Sequence, residues 1–139
     1  MRRGHSAFVL ALGLSLAACG GLRYRTLVPA PPETLDGGWK RIGLETPPLE
    51  QAPDELRALG PRQWVRTSYT RAASIVRVDL FGMPSDTSAF EARQKWRSQP
   101  GALAFHKGGV LAVCSSETEP VRQLIEFSQT LERAWPSAR

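Results

Sequence analysis

The chain has 139 residues, 22% of them charged, and a formal net charge of +5. That length suits one domain with a modest core, and so mild a basic excess argues against a dedicated nucleic-acid binder. Mean hydropathy is slightly negative, at -0.26, which excludes a chain built mainly of membrane spans.

Arg2 and Arg3 precede an apolar run from Ala7 to Leu16. The run has the length of a signal-peptide core and falls short of the roughly 20 apolar residues that cross a bilayer. Small residues Ala17 and Ala18 then stand before Cys19. The tetrad Leu16-Ala17-Ala18-Cys19 resembles the lipobox of bacterial lipoproteins. The resemblance implies a diacylglycerol thioether on Cys19, cleavage between Ala18 and Cys19, and N-acylation of the new terminus. Residues 1–18 are therefore expected as a signal peptide. The first expected partner is the lipid bilayer, reached through acylated Cys19, because two or more acyl chains anchor stably where one does not. Gly4-His5-Ser6 lack the pattern that accompanies twin-arginine export, so the general secretory route is expected. Gly20 stands where Asp would resemble an inner-membrane retention signal. In a host with two membranes the expected location is the outer one, facing the periplasm. Loss of Arg2 and Arg3 with the leader lowers the formal charge to +3.

Residues 20–38 hold three prolines and four glycines, a composition that predicts a semi-extended linker. Residues 19–38 are read as the lipidated cysteine and tether, 39–136 as a single domain and 137–139 as a tail. Tyr24, Leu27 and Val28 are the tether residues suited to packing on that domain.

Trp39 to Leu44 predicts a short strand. Asp54 to Leu59 predicts about one and a half helical turns, acidic at the start and closed by Gly60-Pro61. Gln63–Thr70 and Ser74–Phe81 predict an antiparallel hairpin. When paired residue numbers sum to 145, Val65, Thr67 and Tyr69 meet Leu80, Val78 and Val76 on one face. Arg66 then opposes Asp79, and Ser68 opposes Arg77, on the other. The turn at Arg71-Ala72-Ala73 lacks the usual Gly or Asn. Ser85 is the expected N-cap of a helix bearing Asp86 in its first turn and Ala89, Phe90 and Trp96 on its apolar side.

A second hairpin runs from Leu103 to His106 and from Val110 to Ser115. A three-residue loop, Lys107-Gly108-Gly109, is preferred because it groups the larger Leu103, Phe105, Leu111 and Val113. A two-glycine loop groups Leu103, Phe105, Val110, Ala112 and Cys114 instead. Thr118 is the expected N-cap of a last helix, where Val121, Leu124, Ile125, Ser128, Leu131 and Trp135 follow the helical period. Two hairpins, each followed by a helix, predict an α+β fold: an antiparallel sheet of four to five strands with two helices packed on one face.

Catalytic and metal signals are sparse. After the leader the only histidine is His106, which rules out a two-histidine metal site within one chain. Cys114 lies in an apolar strand and reads as a small core residue. Either hairpin register keeps it beyond hydrogen-bond reach of His106. No serine sits in a Gly-x-Ser-x-Gly elbow, and Gly108-Gly109 lacks the following helix that a phosphate loop needs. No catalytic residue, metal or cofactor is therefore assigned. The candidate partner surface is the sheet face opposite the helices, carrying Trp64, Arg66, Arg77 and Phe81, since aromatic residues with Arg compose binding hot spots.

Gly38-Trp39, Leu59-Gly60 and the run from Arg66 through Tyr69 are similar to exosortase-associated proteins of bacterial envelopes. The cysteine-containing His-x-Pro motif of that family is absent, and no functional residue is carried across. The helix from Ser85 and the ending from Gly109 to Trp135 resemble small lipoproteins of soil bacteria. The expected function is a membrane-anchored envelope lipoprotein acting as a non-catalytic binding or accessory module, with an envelope protein as partner. The alternatives are an envelope enzyme and a structural spacer.

Overall fold

The computed structural model describes residues 28–136. The elements are β1 (Thr34–Leu35), β2 (Trp39–Glu45), a 3-10 turn (Leu49–Gln51), α1 (Asp54–Arg57), β3 (Gln63–Arg71), β4 (Ser74–Gly82), α2 (Asp86–Lys95), β5 (Ala102–Lys107), β6 (Val110–Ser115) and α3 (Val121–Ala134). The expected signal peptide, the Ala18–Cys19 cleavage point and the lipid site lie outside the described residues. Among the described residues no helix is long and apolar enough to cross a membrane.

The strands form one antiparallel sheet in the order β1-β2-β3-β4-β6-β5, curled into a half-barrel. The α+β class stands, with six strands where four to five were expected. The extra strand is β1, which pairs Thr34 with Lys40 and Leu35 with Trp39. Two residues between prolines and glycines carry no strand periodicity, and distant contacts hold them in place. Tyr69 donates its hydroxyl hydrogen bond to the Pro32 carbonyl at 2.6 Å, and Arg41 donates to the Pro31 carbonyl. The Val28 N–H donates to Gln63 Oε1 at 3.0 Å. Residues 28–38, the end of the expected tether, thus lie against the sheet.

The β3–β4 hairpin has the expected register, Arg66 facing Asp79 and Tyr69 facing Val76. Its two-residue turn forces Ala72 to a φ of 50°, a region L-residues other than Asn and Asp seldom visit. The β5–β6 hairpin turns on the two glycines alone, pairing Lys107 with Val110 and Leu103 with Cys114. This corrects the preferred three-residue loop. Both faces of β6 are buried, so grouping the larger side chains on one of them gains nothing.

The same burial explains a second correction, because the helices do not share a face. Against one face α3 packs Leu124, Phe127, Leu131 and the following Trp135 over Val76, Val78, Leu80, Ala112 and Cys114. Against the other, α1 and α2 bring Leu56, Ala89 and Ala92 over Trp64, Phe81, Leu111 and Val113. Central strands β4 and β6 are apolar on both sides, so each side needs a cover. Ser85 caps α2 as expected, its side chain accepting from the Ser88 N–H at 3.0 Å. Helix α3 starts after Pro120 with no side-chain cap. Thr118 Oγ1 instead accepts from the Ile75 N–H at 3.2 Å.

Candidate functional site

Alternation along β3 and β4 sends Trp64, Arg66 and Ser68 to the same face as Arg77, Asp79 and Phe81. Helix α1 and α2 cover only part of that face. Beside them lies an open groove of about 570 Å³, within the usual ligand-pocket range. All four residues of the expected partner surface line it, but their roles divide. Trp64 and Phe81 are buried, at 3% and 1% exposure, so neither is the accessible aromatic that was expected. The rings stack at 5.8 Å beneath Leu56 and Ala52 of the adjoining cluster. Arg66 and Arg77 remain reachable, with side chains 31% and 53% exposed.

Between them sits Asp79, a carboxylate only 5% exposed. Asp79 Oδ1 accepts from Trp64 Nε1 at 2.9 Å and from Arg66 Nε at 2.8 Å. Arg77 Nε lies 3.3 Å from Oδ2. Burying an ionised carboxylate requires such partners. Neighbouring β-strands supply them because Arg66 pairs directly with Asp79, while Trp64 and Arg77 each sit two residues away on that face. The Arg66 guanidinium also lies 4.8 Å over the Trp64 ring, a cation–π contact that fixes its plane. The expected Arg–Asp pairing is present, and its carboxylate is buried.

The chain matches no family model, no curated protein and no solved structure.

The groove walls come from segments that sequence periodicity cannot place together. Trp96 and Gly101 follow α2, Ser116 and Thr118 follow β6, and Glu55 and Glu117 stand on the lining. Gly101 joins two of these segments. Its carbonyl accepts from the Ser116 N–H at 2.9 Å, its φ is 71°, and a Cβ there would come within 2.9 Å of the Ser116 carbonyl oxygen. Ser116 Oγ accepts from the Glu119 N–H at 3.1 Å and donates to the Ile75 carbonyl at 2.6 Å. The loop is thereby tied to the tip of β4.

Cys114 is fully buried beneath α3, and that burial, reinforced by the Asp79 charge, pushes its thiol well above the ordinary range. A thiol held protonated is a poor nucleophile. The β5–β6 register puts His106 opposite Leu111 and Cys114 opposite Leu103, hence on different faces of the sheet. His106 packs edge-on against Phe90 at 5.4 Å. Among the described residues no group of three or more His, Cys, Asp or Glu side chains is placed to hold a metal ion.

Proposed function

We propose that the protein is an envelope lipoprotein, anchored in the membrane through acylated Cys19, whose folded part works as a non-catalytic binding or accessory module for another envelope protein. In a host with two membranes it resides on the outer one, facing the periplasm. Support for the anchor is the Leu16-Ala17-Ala18-Cys19 tetrad behind a charged and apolar leader. The observation that carries the binding role is the groove over Asp79. Its carboxylate is committed to Trp64 and two arginines, so it serves to position the guanidinium groups.

Radiolabelled palmitate should enter the wild-type protein in its host and not Cys19→Ser. Crosslinking in native membranes should capture a reproducible protein neighbour. A bare Cys19 in mature material would overturn the anchor. No reproducible neighbour would overturn the accessory role and leave the spacer.

A further inference from the structure

We propose that the groove takes the carboxylate of an acidic peptide, held between Arg66 and Arg77, with apolar neighbours of that residue lying along Ile75 and Trp96. The proposal rests on the binding-module reading and names the chemistry of its partner.

Both arginines touch Asp79 through Nε. Among the described residues neither guanidinium donates a hydrogen bond through its Nη atoms. An arginine fork presents paired N–H groups that match a carboxylate. Here two forks are steadied by one buried anion, and among the described residues no other carboxylate is in ion-pair contact with either of them. Arg66 is further fixed by stacking on Trp64, so less side-chain entropy is lost on binding.

The lining also limits the ligand. Glu55 and Glu117 stand on the groove walls and repel a densely charged anion such as a nucleic acid or a polyphosphate. A single carboxylate on a mixed chain meets both requirements. Ile75, 48% exposed, and the half-buried Trp96 add apolar surface to the same lining. The groove, at about 570 Å³, is of a size to take a few residues.

The four indole N–H groups make the test internal to the molecule. Trp64 and Trp96 line the groove, whereas Trp39 and Trp135 belong to the core on the opposite face. The full chain, labelled with 15N in detergent micelles, is titrated with an acetylated and amidated pentapeptide carrying one glutamate between two leucines. The control peptide has glutamine in its place. The Trp64 and Trp96 indole signals should shift saturably with the glutamate peptide, while those of Trp39 and Trp135 stay still. Arg77→Gln, at a half-exposed position, should keep the native spectrum and weaken binding by about tenfold or more, the usual scale for a charge-assisted pair. Equal shifts with the glutamine peptide, no shift at all, or undiminished binding by Arg77→Gln would each overturn the proposal. So would inorganic phosphate displacing the peptide at lower concentration. Crosslinked neighbours that persist in Arg77→Gln membranes, alongside a failed titration, would remove this proposal and leave the accessory role intact. Absence of palmitate on Cys19 would remove the anchor and leave this titration untouched.

Discussion

Arg66 and Asp79 face each other across the β3–β4 ladder and join at 2.8 Å, on a face where the carboxylate is almost wholly enclosed. The pair therefore behaves as an internal strut with one wet end. Removing the carboxylate leaves a buried indole N–H without an acceptor and a partly buried guanidinium without its counter-charge. Asp79→Ala should lower unfolding free energy by about 3 kcal/mol, read from urea titration. Asp79→Asn keeps an acceptor for Trp64 and should cost less. A loss below about 0.5 kcal/mol in the alanine variant, the scale of exposed pairs, would show that the carboxylate is hydrated.

The Ala72 turn stores strain that a single methyl group causes. Left-handed backbone costs an L-residue about 1–2 kcal/mol, while glycine gives back roughly 0.5–1 kcal/mol through the freer unfolded chain. The first effect is larger, so Ala72→Gly should stabilise by up to about 1 kcal/mol. A midpoint shift to higher denaturant with unchanged slope would be the signature.

Two groups make stability depend on alkaline pH. Burial raises the Cys114 pKa, with the Asp79 charge acting in the same sense. Burial also raises that of Tyr69, opposed in part by Arg41. Both stay protonated in the folded state at pH values where the unfolded chain lets them ionise. Their contribution is complete below the unfolded thiol value of about 8.5 and is lost as pH climbs beyond it. Stability should be level from neutrality to about pH 8.5 and then fall by at most about 1.4 kcal/mol per unit for each group. Cys114→Ala should move the onset toward the tyrosine range near pH 10. An onset unmoved by that substitution would contradict the burial.

Helix α3 offers a contrast between positions with the same apolar chemistry. Leu124 is 1% exposed, whereas Val121 and Ile125 are 63% and 42% exposed. Leu124→Asp, like Val78→Asp in the sheet beneath it, should destabilise by several kcal/mol, since an unpaired charge would be enclosed. Val121→Asp should change stability by no more than about 0.5 kcal/mol. Thermal melts of the three variants would separate the packed side of the helix from its exposed side.

Helical spacing alone could not make that separation. Val121, Ile125 and Leu124 all follow the period, yet a neighbouring strand exists only on the side that Phe127 and Leu131 also face. The β3–β4 register was readable because two independent patterns, an apolar set and an Arg–Asp pair, agree on it. The β5–β6 register was not, because Ala102, Ala104 and Ala112 make both faces similar in size. Strand β1 depends on Tyr69, more than thirty residues away in the chain, and no local pattern announces such a contact. For the groove, β-alternation placed Arg66, Arg77 and Asp79 together. The depth of Asp79 and the walls from Trp96 and Ser116 depend on how loops return across the sheet, which periodicity does not encode.

The margin of the sheet along β2 carries one further consequence. Past Arg41 no strand covers its outer side among the described residues, and Ile42 and Leu44 stand about half exposed there. The ladder to β3 slips at Gly43, whose carbonyl accepts from Thr67 Oγ1 at 2.5 Å. That irregularity breaks the edge strand into two short pieces, and such bulges disfavour edge-to-edge pairing with a neighbouring molecule. Such a defect works against edge-to-edge growth of one sheet onto the next.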